Sequence, residues 1–184
     1  MPATPRAAAV LVPIIDRPGA PTLLLTMRAG HLRQHAGQIS FPGGRIEASD
    51  DDVLGAALRE TREEIGVDPA FVEPLGFLPD QVVLTGFRIT PVVAWGGDNP
   101  SLDPDPVEVA TVFHIPLTEL DSPSIPRLTP TAEGKPPVMS APLPSAGGQV
   151  YAPTAALLYQ FREVALHGRP TRVAHFDQPK FAWK

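Results

Sequence analysis

The sequence predicts an α/β fold in which strands are interrupted by two helices, one mid-chain and one terminal. Three observations carry this. Short apolar runs bounded by Gly, Pro and Asp recur from residue 7 to residue 113. A helical rhythm of apolar residues lies between an acidic cluster and Gly66, and a second apolar and aromatic pattern of that kind spans residues 155–166. Runs of the first type suit buried strands, and the two rhythms suit helices with one packed face.

Residues 7–15 and 21–27 read as strands separated by the turn Asp16-Arg17-Pro18-Gly19. Residues 29–40 read as a polar loop, after which Phe41-Pro42-Gly43-Gly44 turns toward the first helix. That helix has its cap candidates in Ser49-Asp50-Asp51-Asp52, where negative charge also suits the helix N-terminus. Gly66 stands where a C-terminal glycine stops a helix. Between them Leu54, Leu58, Thr61 and Ile65 form the packed stripe. Ala56 and Ala57 keep nearby side chains short and are expected to leave room for a ligand. Residues 71–78, 87–95 and 107–113 read as further strands. From about 116 to 148 prolines recur and periodicity disappears, which predicts a long surface segment beside a pocket or acting as a flap. A closing helix is expected over about 153–167, with Pro153 in its first turn and Ala156, Leu157, Tyr159, Phe161 and Val164 among its apolar or aromatic positions. Phe176, Phe181 and Trp183 predict a tail that docks.

The 184 residues suit one domain, 1–184, with a sizeable core. There are no cysteines, which excludes disulfides and thiolate metal sites. A net charge of −5 argues against a general nucleic-acid binder. No stretch reads as a signal peptide or membrane span, so a cytoplasmic location and no membrane partner are expected.

The chemistry concentrates in Arg59-Glu60-Thr61-Arg62-Glu63-Glu64-Ile65-Gly66-Val67. Carboxylates at i, i+3 and i+4 share one helix face, and like charges so close destabilise a bare helix. One reading is a solvated acidic face. The other is a set of hard oxygen ligands for Mg²⁺ or Mn²⁺, ions held by carboxylates together with substrate phosphates. The Gly-Gly turn just upstream, and the scarcity of balancing cations beyond Arg59 and Arg62, favour the second.

These residues resemble the Nudix box, which ends in Arg-Glu-U-x-Glu-Glu-x-Gly-U with U a bulky aliphatic. Arg59, Glu60, Glu63, Glu64, Gly66 and Val67 match, while Thr61 occupies an aliphatic position. The stretch from Gly44 to Arg59 is one residue longer than the pattern, so either Asp50 or Asp51 fills the first acidic position. Leu24-Leu25-Thr26-Met27-Arg28-Ala29, Arg33, Gly37 and Phe41-Pro42-Gly43-Gly44 resemble the upstream motif of the coenzyme A pyrophosphatase branch. Residues 86–93 and 108–117 are also similar to segments of that branch, but Val150-Tyr151-Ala152 stands where it often carries Ile-Trp-Gly.

The resemblance implies an α/β/α sandwich with a mixed sheet, and hydrolysis of the diphosphate of coenzyme A or its thioesters. ADP-ribose or a dinucleotide is the alternative substrate, and a non-catalytic nucleotide-binding domain a third reading. It further implies metal binding by Glu60, Glu63, Glu64 and the Gly44 carbonyl, with one glutamate, Glu63 favoured, as the base. Arg28 and Arg33 suit bidentate phosphate contact. His35 and Gly43 join them as expected substrate-binding residues. Arg59 is expected to orient a neighbouring acid, and Glu108 is a candidate fourth ligand. Trp95, Tyr151 and Trp183 either stack on adenine or pack in the core. A homodimer is expected by analogy only.

Overall fold

The structure, a computed structural model, describes residues 4–32, 35–131, 136–173 and 176. Its centre is β1 (Arg6–Asp16), whose apolar residues point both ways. Ala9 and Leu11 face one side, while Val10, Val12 and Ile14 face the other. A strand apolar on both faces belongs inside a covered sheet. It pairs in parallel with β7 (Phe87–Asp98), and antiparallel with β2 (Thr22–Arg28) and β4 (Gly43–Arg45).

The remaining strands extend this mixed sheet. β3 (Ile39–Ser40) and β8 (Val109–Pro116) pair with β2, whereas β5 (Glu73–Phe77) and β6 (Gln81–Val83) pair with β7. The result is an eight-stranded sheet with the path β3-β2-β1-β7-β5. The expected α/β class with a mixed sheet is therefore observed.

Helix α1 (Val53–Ile65) covers one face. Asp52 caps it through Oδ1, which accepts the Gly55 N–H at 2.7 Å, and Gly66 ends it with φ 73°. Ala56 and Ala57 are fully buried against Ala9, Leu11, Val92 and Ala94. This corrects the expectation that they flank a ligand: their shortness lets α1 settle onto the sheet. Leu54 and Leu58 are only partly buried at the edge of that contact.

A one-turn helix α2 (Leu117–Leu120) follows β8, and the second face is covered by α3 (Thr154–Phe161), continued by a π-helical turn at Arg162–Leu166, and by a small antiparallel sheet. That sheet consists of β9 (Arg127–Thr129), β10 (Val138–Leu143) and β11 (Gly148–Tyr151). It corrects the expectation of a loop-like surface segment over 116–148. Met139, Ala141 and Leu143 alternate along β10 and are completely buried with Leu23, Leu25, Leu157 and Phe161. Prolines at 142 and 144 hide this period-two pattern, and the pairing partners lie outside any local window. Among the described residues no helix is long and apolar enough to cross a membrane.

Candidate active site

Two short elements on β1 build the site. Gly43 and Gly44 of β4 pair with Val10 and Ala9, and α1 lies across them. A Cβ on Gly44 would stand 2.5 Å from the Glu60 Cδ, so the Glu60 carboxylate rests directly on a bare Cα. A Cβ on Gly43, at φ +150°, would instead meet the β1 backbone, 2.6 Å from the Val10 Cα. One glycine admits a carboxylate and the other admits the strand.

Glu64 lies deepest, only 4% exposed. Its Oε2 accepts the Gly43 N–H at 3.3 Å, and its Oε1 stands 3.7 Å from Arg28 Nη1. Burial pushes its carboxyl up to about 8, opposed by Arg28 and the Gly43 N–H and reinforced by Glu60 and Glu108. Glu60 is also raised, first by burial and then by Glu63 and Glu108, against the pull of Arg59. Glu108 thus lies within electrostatic range of both carboxylates. Glu63 is the open member, with its side chain 59% exposed.

Arg59 ties these groups to the preceding loop. Its Nε and Nη2 grip Asp50 at 2.8 and 3.1 Å, and Nη1 donates to Glu60 and Glu63, each at 3.0 Å. Nη2 also donates to the Arg45 carbonyl at 3.1 Å. The guanidinium pKa is raised, first by Asp50, whose own carboxyl is lowered by the same bond and by the Glu47 N–H. Asp50, rather than the exposed Asp51, is thus the acid that engages the helix.

The three helical carboxylates do not meet at a single point. Among the described residues no three Asp, Glu or His side chains form a ready cation cage. Glu60 and Glu63 turn to Arg59 and Glu64 to Arg28, because like charges at helical spacing each draw the nearest cation. The donor set nonetheless fits a hard divalent ion. It is all oxygen, two members carry raised pKa values from crowding and burial, and Glu60 sits against the Gly44 backbone where no Cβ intervenes.

A cavity of about 300 Å³ opens beside these groups, lined by Arg28, His35, Gly43, Gly44, Arg45 and Phe87 among others. Arg28 Nε is buried and has no hydrogen-bond partner among the described residues. His35, at φ 58°, holds its Nδ1 3.0 Å from Gln38 Oε1. Arg33 lies outside the described residues, as do Phe181 and Trp183. A second cavity shares Gln38, Ile39, Pro153 and Thr154 with the first and reaches Tyr151. Trp95 lines a separate groove with Gly66 and Phe71. Arg45 and Phe87 escaped the sequence reading. The position of Arg45 directly after the Gly-Gly turn was the one available signal.

A family model for the NUDIX domain matches residues 5–139. The chain belongs to the Nudix family. It is 47% identical over 114 residues to proteins described as uncharacterized Nudix hydrolase NudL, from Citrobacter koseri and from Salmonella newport. Those matches cover 62% of this chain and 59% of each relative, so the chain spans less than two thirds of the curated relatives it matches. Among solved structures it resembles the Nudix hydrolase RenU of M. smegmatis, with TM-score 0.63 and 20% identity over 88% of this chain and 86% of that one. It also resembles a Nudix hydrolase from Nitrosomonas europaea, with TM-score 0.60 and 17% identity over 93% and 77%. At such identities the likeness concerns the Nudix fold alone.

Proposed function

We propose that this Nudix chain hydrolyses the diphosphate bond of coenzyme A or an acyl-coenzyme A with Mg²⁺ or Mn²⁺, giving 3′,5′-ADP and the corresponding 4′-phosphopantetheine. The supporting observation is Arg28, from the upstream motif, which stands beside box residue Glu64 with a buried Nε that has no hydrogen-bond partner among the described residues. Such a guanidinium suits a phosphate oxygen.

Glu60, Glu63, Glu64 and the Gly44 carbonyl would hold the cation, with Glu108 as a further carboxylate. The ion supplies charge neutralisation on the diphosphate. Arg28 and His35 would orient the phosphates, and Arg33 would join them. Glu63, open to solvent, would take the proton of the attacking water as its oxygen bonds to one phosphorus. The bridging P–O bond breaks, and each half leaves as a phosphate monoester. Arg59 would act by holding Asp50, Glu60 and Glu63 in place.

A second reading, hydrolysis of ADP-ribose or a dinucleotide, draws on the altered Val150-Tyr151-Ala152 segment, which lines the adjoining cavity. A non-catalytic nucleotide-binding domain is disfavoured by the complete set of box glutamates. The test is product analysis by mass spectrometry with coenzyme A, ADP-ribose and diadenosine compounds, each with Mg²⁺ and with Mn²⁺. Release of 3′,5′-ADP from coenzyme A is expected. Turnover of ADP-ribose with coenzyme A untouched would select the second reading. Unchanged turnover in both Glu63→Gln and Glu64→Gln would defeat the catalytic assignment.

A further inference from the structure

Arg28, in the lining of the cavity, is engaged by Glu64. Two further arginines have a different character. The guanidinium carbons of Arg6 and Arg45 lie 4.1 and 5.4 Å from the centre of the Phe87 ring. Among the described residues neither arginine forms an ion pair. Both are exposed, and Arg45 and Phe87 line the cavity directly. In a chain of net charge −5, two unpaired guanidinium groups over one aromatic ring form a local site for an anion.

The register explains the convergence. Ala8 of β1 lies opposite Arg45, and Arg6 lies opposite Phe87, so three distant segments meet at one end of β1. Stacking on Phe87 restrains the planar groups while leaving their N–H edges free to donate.

We propose that Arg45, assisted by Arg6 and positioned by Phe87, is a specificity subsite for a phosphate monoester carried on the nucleoside part of the substrate, separate from the diphosphate that is cleaved. This deepens the coenzyme A reading and rests on it, since that substrate bears a 3′-phosphate. It assigns selection of that phosphate to Arg45 and Arg6, neither of which fills a fixed position of the two motifs.

The test is calorimetric binding of 3′,5′-ADP and 5′-AMP in the presence of Mg²⁺. Neither probe contains a diphosphate to be hydrolysed, so affinity is read without turnover. The wild type should bind 3′,5′-ADP at least about tenfold more tightly, the effect of one charge-assisted contact. Arg45→Gln should bring the two affinities within about threefold of each other, and Arg6→Gln should narrow the gap part-way. Arg88→Gln serves as a charge control, because Arg88 pairs with Asp80 at 3.6 Å and does not line the cavity; it should keep the wild-type ratio. Equal affinities in the wild type, or a full ratio in Arg45→Gln, would overturn the proposal. Failure to hydrolyse coenzyme A would count against the substrate reading, while this binding ratio reports on the subsite by itself.

Discussion

Gly44→Ala isolates the contact on which the metal-ligand assignment depends. The φ of Gly44 lies outside the left-handed region, so alanine is compatible with the backbone there. The new methyl would sit 2.5 Å from Glu60 Cδ and Oε1, and 2.6 Å from Oε2. Ordinary carbon contacts are about 3.5–4.0 Å, so the carboxylate must retreat by about 1 Å. Misplacement on that scale costs about 100-fold in rate, or about 2.7 kcal/mol of transition-state stabilisation. Folding should hardly respond, because the displaced atoms end a flexible side chain and Gly→Ala restricts the unfolded chain; a change within about 1 kcal/mol is expected. Gly43→Ala should do the reverse, combining a positive φ with a backbone clash against β1 and losing about 2–5 kcal/mol of stability. Diphosphate turnover and thermal melting would be measured on both variants, and on Gly44→Ala in a Glu60→Ala background. If the methyl acts through Glu60, it should cost less than about twofold more in that background, the non-additivity expected of one shared contact. A folded Gly44→Ala enzyme with wild-type turnover and cation dependence would refute the reasoning.

Leu143→Ala should cost about 2–5 kcal/mol, because its side chain is fully buried in the core beneath α3; a fall in melting temperature of about 5–15 °C would register this, and a neutral result would contradict the second sheet's place in the core. Arg169, bonded at 2.6 and 2.9 Å, holds the Glu163 carboxyl below its ordinary range. A depressed carboxylate stabilises fully above its unfolded pKa and loses that contribution as pH falls through the folded value, so Glu163→Gln should melt below the wild type at neutral pH and converge with it in acid. Chelation should abolish diphosphate hydrolysis, and adding Mg²⁺ at 100 times its dissociation constant should stabilise stripped protein by about 2.7 kcal/mol, raising its melting temperature by about 5–10 °C. A chelator-resistant activity would remove the metal from the reaction.

Legibility in the sequence followed the range of the interactions. Both ends of helix α1 were readable because its cap at Asp52 and its stop at Gly66 are local signals, whereas its packed face was misread in part, since Ala56 and Ala57 rather than Leu54 and Leu58 are fully buried. The same locality exposed Glu60, Glu63 and Glu64. That Arg59 orients a neighbouring acid was readable too, but its reach back to Asp50 and the bond of Glu64 to Gly43 across 21 positions were not. The choice between Asp50 and Asp51 needed that tertiary bond. Strands β9 to β11 were missed because each is short, prolines lie in or near them, and only their pairing defines them. Arg45 and Phe87 are brought together by their separate alignments with β1, a long-range fact with no local trace.

The positions of the smallest residues explain why a site can stand at this contact. Ala56 and Ala57 lower α1 onto β1 and β7, and that approach carries Glu60 over Gly44. Larger residues on either side would separate helix from strand, and the carboxylate from the backbone beneath it. The same closeness buries Glu64 and raises its pKa, so packing and charge crowding have one origin. Arg59 and Arg28 offset that crowding from within the protein, each tied to acidic partners. Among the described residues Arg45 and Arg6 form no ion pair; both lie over Phe87, and Arg45 lines the cavity. The cavity thus brings together Arg28, which a carboxylate engages, and Arg45, which pairs with no acid among the described residues. A polyanion that brings a cation to the box carboxylates and a free phosphate to Arg45 would satisfy both at once.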